Sequence, residues 1–294
     1  MSSPQLLDSP SAALERENKL ISWLRAHDSL LLGFSGGVDS AYLACVAIEA
    51  VGPERFLAVI GRSASYPAEQ WRAARDVASR AGLTVLEVDT HEMDDARYVA
   101  NPTNRCYFCK SELWTVLERV RAHRGIATII DGTNADDLSD HRPGKLAASE
   151  NSVRSPLAEL GFTKADIRER SRARGIPTWS QPSSPCLSSR LPYGTPVTVT
   201  RLASVERAER SLRELGMSGN LRVRHHGDTA RIEMDLAELS RWSDPNRATE
   251  ILAAVCAAGF VSAVLDPRGF RSGSLNVLAG VVPDLGSSAP LSGS

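Results

Sequence analysis

The residues that carry the most chemistry are Ser35, Gly36, Gly37, Asp39 and Ser40, within Phe34-Ser35-Gly36-Gly37-Val38-Asp39-Ser40. The apolar Leu30-Leu31-Leu32 leads into this stretch and a helical-looking run, Ala41 to Val51, leaves it, so the order is strand, glycine turn, helix. Two adjacent glycines let the backbone turn tightly and bring its N–H groups close to an anion. The helix start adds a partial positive charge at the same place. The hydroxyls of Ser35 and Ser40 add donors. Asp39 repels a bare phosphate, so it makes most sense as the partner of a magnesium ion that the phosphate holds. The stretch lacks the lysine of a Walker A loop, which argues against kinase-like transfer of a terminal phosphate. The alternative is a plain strand-to-helix turn, which glycine pairs usually mark. Farther on, Asp131-Gly132-Thr133-Asn134-Ala135-Asp136-Asp137 is polar and rich in carboxylates. At a strand end it would bring Gly132 and Asp137 to the nucleotide, with Asp136 or Asp137 beside the magnesium. An exposed turn is the other use of such residues.

Five cysteines is an odd and low number. Cys45 and Cys256 sit in apolar helical runs and read as core residues. Cys106 and Cys109 form Cys-Tyr-Phe-Cys, after a polar loop and just before a helix, and Cys186 lies in Pro-Ser-Ser-Pro-Cys-Leu-Ser-Ser-Arg. A Cys-x-x-Cys pair can hold zinc or an iron–sulfur cluster, or do redox chemistry. Structural zinc wants four protein ligands, and only three thiols lie in polar stretches. A four-iron four-sulfur cluster on those three would leave one iron open, and unligated thiols are the alternative. Arg222 and Arg224 alternate on one strand and so share a face. Two guanidiniums on one face suit a phosphate, unless the face is simply solvated. Glu233 on the facing strand is placed to orient them or to serve a metal.

These groups need a scaffold, and the pattern supplies one. Strands are expected at Leu30–Phe34, Phe56–Ile60, Leu83–Val88 and Ile126–Ile130. Helices are expected over residues 11–27, Pro67–Ala81, Lys110–His123 and Thr163–Arg174. This alternation predicts an α/β fold with a doubly wound, mostly parallel sheet, whose ligands sit at the carboxyl ends of the strands. After Pro196 the pattern changes to a helix, a hairpin around His226-Gly227-Asp228, a helix and a strand, read as a smaller α+β domain. The expected division is 1–196, 197–280 and a disordered tail, 281–294. The chain has 294 residues and a formal net charge of −1, so no basic field attracts nucleic acid. No apolar run approaches the roughly 20 residues that cross a bilayer. Met1-Ser2-Ser3-Pro4-Gln5 is not a signal peptide, which points to the cytoplasm.

The motifs together resemble the LarE-like ATP-dependent sulfur transferases, within the pyrophosphate-loop superfamily of adenine nucleotide alpha hydrolase-like fold. The likeness runs from about residue 15 to 280. It rests on the glycine loop, Asn-Arg-Cys-Tyr-Phe-Cys-Lys at 104–110 and Asp-Gly-Thr-Asn-Ala-Asp-Asp at 131–137. Asp-His-Arg-Pro-Gly at 140–144, Cys-Leu-Ser-Ser-Arg-Leu-Pro-Tyr-Gly-Thr at 186–195 and Arg-Val-Arg-His at 222–225 complete it. The resemblance implies adenylation of pyridinium-3,5-biscarboxylic acid mononucleotide by ATP and conversion of its carboxylates to thiocarboxylates. The product would pass to a nickel-insertion enzyme, toward the nickel-pincer cofactor of lactate racemase. It implies Cys186 as the sulfur nucleophile, either spending its own sulfur and becoming dehydroalanine, as in some members, or, as the Cys-x-x-Cys pair favours here, joining Cys106 and Cys109 as a ligand of a cluster that delivers sulfide. Arg190, Arg222, Arg224 and Glu233 would bind the mononucleotide, with its phosphate on the arginine pair. A homo-oligomer is expected. One departure is Val277, where an acidic residue is expected. The rival readings are a tRNA-thiolating enzyme, an amide-forming synthetase of the NAD or GMP synthetase kind, and a non-catalytic nucleotide-binding module.

Overall fold

A computed structural model describes residues 11–138, 144–182 and 185–271. Val277, the tail and most of the 140–144 motif lie outside the described residues. The first half of the chain runs α1 (Ala12–Arg25), β1 (Leu30–Gly33), α2 (Val38–Val51), β2 (Phe56–Arg62), α3 (Ala68–Arg80), β3 (Val85–Asp89), α4 (Ala96–Val99), α5 (Arg105–Arg124) and β4 (Thr128–Ile130). Then come α6 (Gly144–Glu150), α7 (Pro156–Glu159), α8 (Lys164–Ala173), α9 (Val199–Glu214), β5 (Leu221–His226), β6 (Thr229–Met234), α10 (Leu236–Trp242), α11 (Pro245–Ala257) and β7 (Ser262–Leu265). No helix among the described residues is long and apolar enough to cross a membrane.

The contacts divide the chain into two compact units. Over the described residues, the first lies within Met1–Ser63, Ala68–Thr90 and Lys110–Ser184, and the second within Ala64–Pro67, His91–Cys109 and Pro185–Ser294. This differs from a cut at residue 196, because the stretches around the three polar-segment cysteines fall in the second unit. Tyr98, Leu187, Leu191 and Val197 share a core with Val223, Ile232 and Val255. The chain therefore passes into that unit and out again before it settles there.

The first unit is a parallel sheet in the order β3-β2-β1-β4, the expected doubly wound α/β arrangement. Leu31 pairs with Leu57 on one side and Ile129 on the other. Leu30, Leu31 and Leu32 are wholly buried, as a central strand covered on both faces requires, which is why they read as an unbroken apolar run. Helix α2 is buried almost all round, through Tyr42, Leu43, Ala44, Val46 and Ala47.

Two glycines set the local geometry. Gly36 has φ +69°, and a Cβ there would stand 2.4 Å from the Cβ of Ala74 on α3. A Cβ on Gly132, just past β4, would fall 2.9 Å from the backbone nitrogen of Ser40.

A buried carboxylate ties the helices of this unit together. Glu17 on α1 accepts from Arg170 and Arg174 on α8 at 3.0 and 2.9 Å, and from the Tyr42 hydroxyl on α2 at 2.9 Å. Burial alone would raise its pKa, but those donors outweigh it and hold the group at about 2.

The second unit has a three-stranded sheet, β5-β6-β7, with β5 and β6 an antiparallel hairpin and β7 parallel to β6. Leu221 and Val223 face the core, against α9 and α11. Cys45 and Cys256, expected in the core, are each only partly buried.

The low pKa of Glu17 predicts a pH dependence. A depressed carboxyl stabilises the fold above its ordinary value of 4.5, and that stability disappears as pH falls from 4.5 toward 2. The shift corresponds to about 3 kcal/mol. In Glu17→Gln, the loss of unfolding free energy between pH 5 and pH 2.5, read from urea titrations, should shrink by about that amount. An unchanged pH profile would show that Glu17 is not the group responsible.

Candidate active site

The glycine loop leaves β1 and ends at Gly37, which caps α2 without any side-chain hydrogen bond. The first-turn N–H groups of α2 therefore keep their affinity for an anion. Ser35 Oγ and Ser40 Oγ lie 3.1 Å apart, and Ser40 donates to Gly37 O at 3.2 Å. Gln70 on α3 donates to Ser35 O at 3.0 Å. Gly132 serves the loop through its missing side chain, because only a glycine lets the end of β4 lie against Asp39 and Ser40.

Asp39 is mostly buried at the start of α2. One carboxylate oxygen, Oδ2, accepts from the Lys164 ammonium at 2.5 Å. The other, Oδ1, is buried without a hydrogen-bond partner among the described residues. Burial raises the Asp39 pKa and the charge of Asp137 adds to the rise, while Lys164 opposes it. Lys164 opens α8, where Thr163 and Asp166 form a capping box, and its backbone N–H donates to Asp136 at 2.8 Å. Asp137 accepts from the backbone of Asn134 at 3.2 Å. Asp131 is occupied elsewhere, accepting from Thr133 N and Oγ1 and from Ser155. An orphaned oxygen on Asp39 with Asp137 close by suits a magnesium ion, which takes one or two carboxylates and fills its shell with phosphate oxygens and water. Magnesium held there would draw charge from the phosphates.

In the second unit the stretch after Cys186 is a short 3-10 turn, Leu187–Arg190. Arg190 is 1% exposed. Its Nε and Nη2 grip the two oxygens of Glu209 at 2.9 Å each, and its Nη1 donates to the carbonyls of Pro185 and Cys186 at 2.5 and 3.1 Å. The expected substrate ligand thus spends its donors in holding the Cys186 turn. Burial pushes the Glu209 carboxyl up, but Arg190, Arg222 and the Val223 N–H bring it below its ordinary value.

A second clamp comes from the other side of the turn. Arg105, 4% exposed, donates to Asn101 Oδ1 at 2.7 Å and to Ser188 O at 2.8 Å, with Cys106 Sγ 3.9 Å from its Nη2. Asn101 sits at φ +54°, a region that Asn tolerates better than most residues, and its amide donates to the carbonyls of Pro192 and Thr195. Tyr98 and Ser188 share a 2.7 Å hydrogen bond. Burial opposes the charge on Arg105, yet the Cys186 and Cys106 thiols hold its pKa above the ordinary value.

Cys106, Cys109 and Cys186 thus belong to one unit. Cys106 and Cys109 lie within the first five residues of α5, which starts at Arg105, rather than in a stretch before it. Nothing in Cys-Tyr-Phe-Cys-Lys stops a helix, so it extends back to the turn at Pro102. Cys106 is exposed and the other two are half-buried. Among the described residues no three His, Cys, Asp or Glu side chains are arranged to hold a metal, so the thiols as placed do not fit the cluster.

Arg222 and Arg224 are each 5% exposed, so theirs is not a solvated strand face. Arg224 pairs with Glu233 at 2.9 Å and donates to Ser189 O at 2.8 Å. Arg222 stacks on Phe270, its guanidinium carbon 5.3 Å from the ring centre, and burial together with Arg190 pulls its pKa to about 10. Sequence reasoning missed Lys164, Glu209, Asn101 and Arg105. Only Asn101 carries a local signal, an Asn before a proline.

Comparison with known proteins places this geometry. The NAD synthase family profile matches residues 19–109, which include the glycine loop. An uncharacterized protein of Synechocystis is 42% identical over 249 residues, 85% of this chain and 92% of that one. The pyridinium-3,5-bisthiocarboxylic acid mononucleotide synthase of Lactiplantibacillus plantarum is 33% identical over 257 residues, 87% of this chain and 92% of its own. An NH(3)-dependent NAD(+) synthetase of Finegoldia magna is 28% identical over 151 residues, half of this chain and 61% of its own.

The Arg190 clamp makes a stability prediction. Arg190→Met strands the Glu209 carboxylate and should cost about 3 kcal/mol in unfolding free energy. The double variant Arg190→Met/Glu209→Gln should recover part of that loss, and alkylation of Cys186 should quicken in the single variant. Equal stabilities in all three proteins would contradict the clamp.

Proposed function

The chain belongs to the same family as the pyridinium-3,5-bisthiocarboxylic acid mononucleotide synthase of Lactiplantibacillus plantarum, and on that premise we propose that it is an ATP-dependent sulfur transferase acting on a carboxylated pyridinium mononucleotide. The observation that carries the reading is Asp39 at the anion loop of the first unit, with one carboxylate oxygen on Lys164 and the other without a partner among the described residues; the second unit holds the Cys186 turn through Arg190. A carboxylate does not react with a nucleophile until one of its oxygens becomes part of a leaving group. Here a substrate carboxylate oxygen attacks the α-phosphorus of ATP, the bond to pyrophosphate breaks, and an acyl adenylate forms. The loop N–H groups, Ser35 and Ser40 receive the pyrophosphate. Asp39, with Asp137, would hold the magnesium that travels with it.

Sulfur then replaces AMP at the acyl carbon. The step the described residues can make uses Cys186, whose thiolate forms a thioester as AMP departs. Loss of the Cα proton with cleavage of the Cβ–Sγ bond would give the thiocarboxylate and leave dehydroalanine at position 186. Arg222 and Arg224, buried with Glu233 beneath them, support a site for the mononucleotide's phosphate. The family resemblance extends the proposal to pyridinium-3,5-biscarboxylic acid mononucleotide as substrate. It also extends it to a homo-oligomeric enzyme, a downstream nickel-insertion enzyme, and lactate racemase as the end of the route.

The likeness to NAD synthetases keeps amide formation as a rival, and Cys186 discriminates between the two. Ammonia-dependent amidation has no use for that thiol. Cys186→Ala should still release pyrophosphate in the presence of the biscarboxylate yet form no thiocarboxylate. Full amide formation from ammonia would favour the rival. Anaerobic purification with iron and sulfide analysis, and mass spectrometry of Cys186 after turnover, decides where the sulfur comes from. Dehydroalanine marks the cysteine's own sulfur. Stoichiometric iron with an intact Cys186 after many turnovers marks a cluster on Cys106, Cys109 and Cys186.

Asp39→Asn keeps the shape and removes the charge. Pyrophosphate release should fall about a hundredfold or more, the usual cost of losing a group that stabilises developing charge. Normal release from the folded variant would remove the glycine loop from the reaction.

A further inference from the structure

We propose that Lys164 is a tethered stand-in for magnesium: it occupies Asp39 in the free enzyme and moves to the pyrophosphate when ATP brings the metal in. The inference rests on the reading of the glycine loop as a nucleotide site. Its basis is the geometry of one carboxylate. Asp39 Oδ2 meets the Lys164 ammonium at 2.5 Å, while Oδ1 is buried with no partner among the described residues. An ammonium is a compact point charge on a flexible four-carbon stem. It neutralises a buried carboxylate without closing the site, and it satisfies only one of two oxygens. The other charged and polar groups near Asp39 are Asp137 and Asn134, with Asp136 on the Lys164 backbone. Among the described residues no second cation is paired with Asp39.

Magnesium and the Lys164 ammonium therefore compete for one carboxylate. A bare metal ion has to displace Lys164 and then keep a like charge beside it. A metal ion carrying ATP brings phosphate oxygens with it, and these give the displaced ammonium a new acceptor. Metal entry is thereby tied to the nucleotide. The same movement places a cation on the leaving pyrophosphate, a task that a Walker A loop gives to a lysine of its own. The helix that carries Lys164 is anchored independently, since the capping box uses Thr163 and Asp166 and the contact to Asp136 uses the Lys164 backbone. The side chain is free to leave without unravelling α8.

The test uses Mn²⁺ in place of magnesium, followed by electron paramagnetic resonance at pH 8, on the full chain and on Lys164→Met. The variant should bind Mn²⁺ without nucleotide about tenfold or more tightly than the parent protein, and should bind pyrophosphate with Mn²⁺ about tenfold or more weakly, the scale of one charge-assisted hydrogen bond. Lys164→Arg keeps the charge and should exclude the bare metal as the parent does. Circular dichroism confirms that both variants fold, and Lys164→Gln replaces Lys164→Met if that one does not. Bare Mn²⁺ bound no more tightly by the uncharged variant, or pyrophosphate bound as well as by the parent, overturns the proposal. Failure of the sulfur-transfer reading shows separately, as a parent protein that releases no pyrophosphate with the biscarboxylate, and leaves the metal titration unaffected.

Discussion

The first unit depends on a place where two backbones touch. The end of β4 lies so close to the start of α2 that a single methyl group on Gly132 would meet the Ser40 backbone. On the other side of the loop, Gly36 lies as closely against Ala74 of α3. Between these contacts the turn from β1 to α2 has no slack, and the N-terminus of α2 is aimed by packing. Preorganised donors cost nothing to arrange when charge develops, so a loop held by van der Waals contact is better suited to a departing pyrophosphate than one held by solvated side chains. At that helix start one oxygen of the Asp39 carboxylate is buried with no partner among the described residues.

The second unit solves a different problem with the opposite charge. Cys186, the proposed sulfur donor, sits on an irregular stretch, and irregular backbone has carbonyls that need donors. Arg190 and Arg105 supply them from two directions, to Pro185, Cys186 and Ser188. Arginine suits this work because its planar fork can bind a carboxylate and carbonyls at once. Arg190 does so, using Glu209 on α9 as its anchor. The result is a turn fixed by charges buried on both sides. Removing either member of the Arg190–Glu209 pair leaves the other buried and unpaired, which is the more expensive state.

Much of this was legible in the sequence, and the limit is physical. Strands β1 to β4 announced themselves as apolar runs followed by turn residues, and the glycine loop by its type and order. The hairpin of β5 and β6 followed from alternation around His226-Gly227-Asp228. These signals are local. The expected start of α5 at Lys110 rests on the polarity of Asn104-Arg105-Cys106, which marks a loop only where helical propensity also breaks, and the helix starts at Arg105. The resemblance assigns Arg190 to the substrate, whereas its partner Glu209 sits among the ordinary charges of an amphipathic helix. Lys164 and Asp39 are 125 residues apart. Nothing in a one-dimensional pattern joins them, since an ion pair between the starts of two packed helices has no period.

The position of Lys164 follows from what the loop must release. In a loop that transfers a terminal phosphate, a resident lysine stays with the phosphates while the γ-group leaves. In the proposed reaction the bond that breaks joins the α-phosphorus to pyrophosphate, and two phosphates leave together. A fixed lysine in the loop would hold the product as firmly as the transition state, and product release would be slow. Asp39 stands in the loop, and the cation arrives from α8. A carboxylate in the loop has a call on that cation whenever the phosphates depart, so recovery of the Asp39–Lys164 pair favours release of the product. In the proposed exchange, the charge that assists bond breaking is the charge that the resting site takes back.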